Sequence, residues 1–185
     1  SNFFSLPAGI DCLTLPRLQK GVDGSYASGQ LAMPLDEIVK LRAEAITSAL
    51  MAFEPDLLIV DKVPSGAFGE VLPAIRSMRN RGTTKCVLGL RDILDDSDTV
   101  QSEWKDSSSE EIIKSYYDAV WVYGDQQVYD PLKEYNWSSE IANLVDFTGY
   151  LDQSLRISEE LPPRNNWIAT LRDQYSSMFV CTLGG

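Results

Sequence analysis

The strongest constraint on this chain is a recurring order of segments. A short apolar run stops at a polar or glycine-containing pair and is followed by an amphipathic stretch. Residues 56–61 (DLLIVD), 85–90 (KCVLGL) and 119–123 (AVWVY) are such runs, ending in Asp61-Lys62, Arg91-Asp92 and Tyr123-Gly124-Asp125. Runs with continuously apolar centres are the kind buried on both faces. Alternated with helices, they imply a parallel sheet joined by right-handed crossovers. Helices are predicted at 34–53, 70–81 and 109–117, helical pieces around 130–135 and 139–144, and a last strand within 145–151 (VDFTGYL). The first helix is the clearest: Ile38, Leu41, Ala45, Ala49 and Ala52 recur at steps of three and four, acids follow Pro34, and Pro55 ends it. The expected fold class is α/β, a Rossmann-like parallel sheet with helices on both faces. A further short strand is expected at 11–16 (DCLTLP). Residues 17–32, with Lys-Gly, Asp-Gly and Ser-Gly pairs, read as a long surface loop.

Residues 1–151 are expected to form a partial amino-terminal domain and 152–176, around EELPPRNN, an interdomain linker with a helical segment near 167–175. Residues 177–185 (SMFVCTLGG) would begin a second domain with a strand entering a glycine turn. A fragment at both ends is the expectation.

Composition removes several function classes. Sixteen Lys plus Arg against 27 Asp plus Glu give a net charge of −11, so a nucleic-acid partner is not expected. The longest apolar runs fall far short of the roughly 18–20 residues of a membrane span. Cys12, Cys86 and Cys181 are odd in number and each lies in a strand-like run, which predicts buried free thiols and a reducing compartment, the cytoplasm. No histidine is present, which excludes His-dependent triads and His-bearing metal sites within these residues.

In an open parallel sheet, ligands bind outside the carboxyl ends of the strands. The residues that follow the apolar runs, Asp61-Lys62, Arg91-Asp92, Tyr123-Gly124-Asp125, Thr148-Gly149-Tyr150 and Gly184-Gly185, would share that edge. Charge there also serves strand ends that re-enter water, and Asp caps helices. The loop 64–69 (PSGAFG) carries Gly66 and Gly69, which let backbone amides approach a ligand or another chain segment. It is neither a P-loop nor a Gly-x-Gly-x-x-Gly fingerprint. Glu70, placed in the first turn of the next helix, would favour the helix dipole. Tyr116, Tyr117, Trp121, Tyr123, Tyr129, Tyr135 and Trp137 crowd one part of the chain. Alternation sets Trp121 and Tyr123 on the same side of the sheet, as core or as a sugar-stacking platform.

Taken in order, VDKVPSGAFGEVLPAIR, CVLGLRDILDD, YYDAVWVYGDQQVYDP and VDFTGYL resemble the amino-terminal domain of a bacterial family of predicted glycosyltransferases of two-domain GT-B architecture. That family is related in plan to the UDP-N-acetylglucosamine transferase of peptidoglycan synthesis. The resemblance runs over residues 7–151, and FVCTLGG is similar to the start of such a protein's second domain. It implies an acceptor-binding domain facing a nucleotide-sugar-binding domain, with transfer in the cleft between them. The nucleotide sugar would be substrate rather than cofactor, no metal is indicated, and contact with a membrane surface is left open. The cleft positions it implies are Asp61, Lys62, Ser65, Gly66 and Gly69, then Arg91 and Asp92, Tyr123 and Gly124, and Gly149 and Tyr150. Gly184 and Gly185 would begin the donor site. No catalytic residue is assigned, though Asp61 or Asp92 would suit a base for the acceptor hydroxyl. The family's Gly-rich turn with a histidine has no counterpart, and the strand at 11–16 would be third in the intact domain. Without the earlier strands the sheet would have unpaired edges and marginal stability alone. A non-catalytic sugar- or protein-binding domain and a sugar-nucleotide epimerase share this plan.

Overall fold

A computed structural model describes residues 9–20, 26–29, 31 and 33–150. The expected linker at 152–176, the strand before Gly184 and Gly185, those two glycines and Cys181 lie outside the described residues.

In chain order the elements are β1 (Leu18–Lys20), β2 (Tyr26–Ser28), α1 (Leu35–Phe53), β3 (Leu57–Asp61), α2 (Leu72–Arg81), β4 (Lys85–Arg91), α3 (Ser97–Asp106), α4 (Ser109–Tyr116), β5 (Ala119–Tyr123), α5 (Pro131–Glu134), α6 (Ser139–Ala142) and β6 (Val145–Phe147). The fold is α/β and Rossmann-like in plan: a four-stranded parallel sheet in the order β3-β4-β5-β6, flanked by helices. The apolar runs become strands where continuous apolar sequence meets β-branched residues. Helices end where the backbone turns left-handed, at Glu54 after α1 and Gly82 after α2.

Side chains of alternate strand residues, Val60, Cys86, Leu88, Leu90 and Val120, form one side of the core. Ile75 and Met78 of α2, Val100 of α3, Ile113 of α4 and Ile141 of α6 close it from the helices, and Leu50 of α1 packs against the same cluster. With strands in sequential order, right-handed crossovers bring their connecting helices to a common face. The other face is the less covered one. It bears Leu57 and Ile59 of β3, 44% and 46% exposed.

Four expectations change. Residues 11–16 form no strand, and Cys12, expected to be buried, is exposed. The backbone there is satisfied locally instead: Cys12 N–H donates to Asp11 Oδ1 (2.7 Å), and Pro16 O accepts from Arg42 (2.7 Å). Within the stretch expected to be a loop, β1 and β2 pair antiparallel with Leu18 opposite Ser28. Asp23-Gly24 is a hairpin signal as much as a loop signal. β3, expected to be buried on both faces, is the sheet's edge strand among the described residues, and Val60 is its one buried residue. Finally, α3 was not expected. It is poor in apolar residues and reaches the core through Val100 and the half-buried Trp104 four positions on; Asp96 caps it by accepting from Thr99 N–H (3.0 Å).

Candidate functional site

The parallel register aligns the strand ends. Asp61 is level with Gly89, Gly89 with Trp121 and Trp121 with Asp146, while Arg91 and Tyr123 sit two residues further along. Among the described residues, those expected at the carboxyl edge are therefore there, but they do different things.

Asp92, Gly124, Gly149 and Tyr150 come together. The Tyr150 hydroxyl donates to Asp92 Oδ2 (3.0 Å), and Asp92 Oδ1 accepts from Ile93 N–H (2.8 Å). Gly149, at φ 73°, donates from its N–H to Gly124 O (3.0 Å). A Cβ on Gly124 would lie 2.7 Å from Asp92 Cβ, so the close approach of the β4 and β5 ends requires glycine. The hydrogen bond to Asp92, followed by desolvation, raises the Tyr150 pKa and keeps the phenol protonated. Tyr123 folds across β4 over Gly89, where a Cβ would overlap its hydroxyl. It shares a sheet face with Trp121, and both are half-buried. Asp61 and Arg91 are exposed, with no side-chain hydrogen bond or ion pair among the described residues.

Lys62 takes a left-handed conformation, φ 64°, while its N–H still reaches Gly89 O (2.8 Å). This turn leads the chain off the sheet into the loop 64–69. Gly66 has φ 82°, and a Cβ there would come within 2.8 Å of Glu70 Oε2, so its glycine serves another chain segment. Gly69, at φ 79°, needs glycine for its backbone alone. Ser65 is tied in through its carbonyl, which accepts from Val71 N–H (3.0 Å).

Glu70 precedes α2 instead of lying in its first turn, and its role differs from the one expected. Only 3% exposed, it accepts from Phe68 N–H (2.7 Å) and pairs with Arg42 of α1 (3.1 Å). The Tyr117 hydroxyl clamps the loop from the other side by donating to Pro64 O (2.6 Å), and burial pushes its pKa up.

Beside this loop lies a cavity of about 460 Å³ between Lys62 and Pro64 on one side and the β4–α3 connection with α3 on the other. Its wall includes Lys62, Leu94, Asp95, Glu103, Trp104 and Asp106. Of the anticipated site residues, Lys62 alone lines it. The others belong to α3 and the turn before it, and the one signal for them was an Asp96 cap followed by Val100 and Trp104 at helical spacing. Tyr135 holds that turn: its oxygen accepts from Leu94 N–H (2.9 Å) and donates to Asp95 O (3.2 Å). Trp137 stacks on Trp104 with ring centres 4.8 Å apart. Tyr117, Tyr135 and Trp137 from the aromatic-rich stretch are buried and serve the core.

The amino edge of the sheet is an ionic anchor. Asp118 meets Arg79 (3.0 Å), Lys85 (3.1 Å) and the Cys86 N–H (2.9 Å). Burial opposes ionisation of this carboxyl, but the Cys86 amide, Lys85 and Arg79 together outweigh it and lower the pKa. A depressed folded-state pKa contributes stability that is present above the unfolded value, about 3.9, and is lost as pH falls through the folded value. Urea midpoints measured from neutral pH down to about pH 3 are expected to drop less steeply for Asp118→Asn than for the parent chain, from a lower starting midpoint.

Among the described residues no group of three or more His, Cys, Asp or Glu side chains is placed to hold a metal, and no helix is long and apolar enough to cross a membrane. The fold and edge define an α/β protein, Rossmann-like in plan, with a polar carboxyl edge and a cavity beside it. No protein-family model matches the chain, and neither a curated protein nor a solved structure matches it.

Proposed function

We propose that this unit is the acceptor-side half of a glycosyltransferase, binding a neutral, hydroxyl-rich acceptor at the carboxyl edge of its sheet. The observation that carries this reading is the cavity between Lys62–Pro64 and α3, whose volume of about 460 Å³ falls in the range of small-molecule sites. Asp95, Glu103 and Asp106 outnumber the single cation Lys62 in its wall, which disfavours a diphosphate and suits hydroxyl donors. Trp104 adds apolar aromatic surface of the kind that packs against sugar C–H groups. In this reading the carboxylates orient acceptor hydroxyls. The resemblance assigns nucleotide-sugar binding to a second domain, with transfer in the cleft between.

Titration of the chain with neutral mono- and oligosaccharides, followed by NMR of the backbone amides of Lys62, Asp95 and Glu103 in the cavity wall, tests the reading. Saturable shifts are expected with at least one sugar, weakened about tenfold or more by Trp104→Ala. Tight binding of a nucleotide diphosphate in this cavity, or no response to any sugar, would overturn it. Sugar transfer by a product that includes a donor domain then separates a transferase from a non-catalytic sugar-binding domain.

A further inference from the structure

Among the described residues β3 leaves one edge of the sheet open, and two backbone hydrogen bonds define which of its groups face outward. Lys85 N–H donates to Asp56 O and Lys62 N–H donates to Gly89 O, both at 2.8 Å. Because parallel ladders alternate, the peptide groups of residues 56, 58, 60 and 62 face β4, and those of Leu57, Ile59 and Asp61 face away. Among the described residues one of these outward groups is used locally, the Asp61 carbonyl, which accepts from Val63 N–H (2.8 Å). Leu57 and Ile59 also expose their side chains.

We propose that a second copy of this chain occupies this edge, β3 pairing antiparallel with β3 about a two-fold axis at Ile59. A closed two-fold dimer must set identical strands antiparallel. Centring on Ile59 lets all three outward residues pair: Ile59 faces Ile59 of the second copy, and Leu57 faces its Asp61. The same register brings Asp56, just before the strand, to the end of the second copy's strand, where its Lys62 turns off the sheet. Shifting the centre by one residue in either direction sets Asp56 opposite Val60 or Pro64 and loses that charge match. Asp56 and Lys62 are both exposed and form no ion pair among the described residues. Pairing of opposite charges across strands selects register as well as adding stability. The inference does not rest on the sugar-binding reading.

The test is sedimentation of the full 185-residue chain at about 0.15 M salt, where screening limits repulsion between two acidic copies. A concentration-dependent dimer is expected. Asp56→Lys places like charges opposite each other and should weaken it about tenfold, while Asp56→Lys combined with Lys62→Asp restores it. In a Cys12→Ser, Cys181→Ser background, Ile59→Cys should crosslink under mild oxidant, since a hydrogen-bonded pair sets Cα atoms about 5.5 Å apart. Leu57→Cys should not crosslink. A monomer at every soluble concentration, failure of the charge swap to restore association, or equal crosslinking at positions 57 and 59 would each overturn the proposal.

Discussion

Glu70→Ala is expected to lower stability by about 3–5 kcal/mol, because it leaves the Arg42 guanidinium in the interior without its counter-ion. Glu70 is 3% exposed and the Arg42 side chain 17%, so solvent replaces the lost carboxylate only in part. The same substitution removes the acceptor for Phe68 N–H inside the loop 64–69. Arg42 also donates to Pro16 O, so one ion pair joins α1, the segment before β1 and the loop that walls the cavity. Against a typical total of about 5–15 kcal/mol, the loss would leave a large unfolded fraction. Urea denaturation followed by circular dichroism measures it. Arg42→Ala should cost a similar amount, and the double substitution less than the sum of the two. A Glu70→Ala midpoint equal to that of the parent chain would show that the pair contributes nothing.

Trp137→Ala should cost about 3–5 kcal/mol by opening a cavity against Trp104 and Tyr135. Trp137 stacks on Trp104 and lies 5.7 Å from the Tyr135 ring centre, and it is nearly buried. Trp137→Phe should be much milder than truncation. It keeps an aromatic ring and removes a buried indole N–H that has no hydrogen-bond partner among the described residues. Thermal unfolding gives both differences. Because Trp104 loses its stacking partner, Trp137→Ala should also reduce the sugar response of the cavity in whatever fraction stays folded, and Trp137→Phe should retain it.

The expectation of a shared carboxyl edge rested on the polar residue after each apolar run, and the register places Asp61, Arg91, Tyr123 and Tyr150 along that edge. What each residue does there was not legible. Gly66 looked equally suited to a ligand or to a chain segment, and it took the second use because Glu70, four residues on, folds back beneath it. The cation that holds Glu70 is Arg42, twenty-eight positions earlier on another helix, and no local pattern links them. Asp92 looked like a turn cap; it is also joined to Tyr150, fifty-eight positions away. The cavity wall escaped notice because α3 exposes most of its length and signals its presence through one cap and two side chains.

Local periodicity was sufficient, α3 apart, for the order of strands and helices from Leu35 to Phe147, since apolar spacing of two or of three to four reports which backbone can bury a continuous face. The burial of β3 lay beyond it. DLLIVD reads the same whether one face of its sheet is covered or both are, and only the packing of the helices on the Val60 and Leu88 face left Leu57 and Ile59 in solvent. For the same reason residues 11–16, strand-like in composition, form no ladder: a strand is stabilised by hydrogen bonds to a neighbour, and where that neighbour lies is a property of the assembled sheet rather than of the segment.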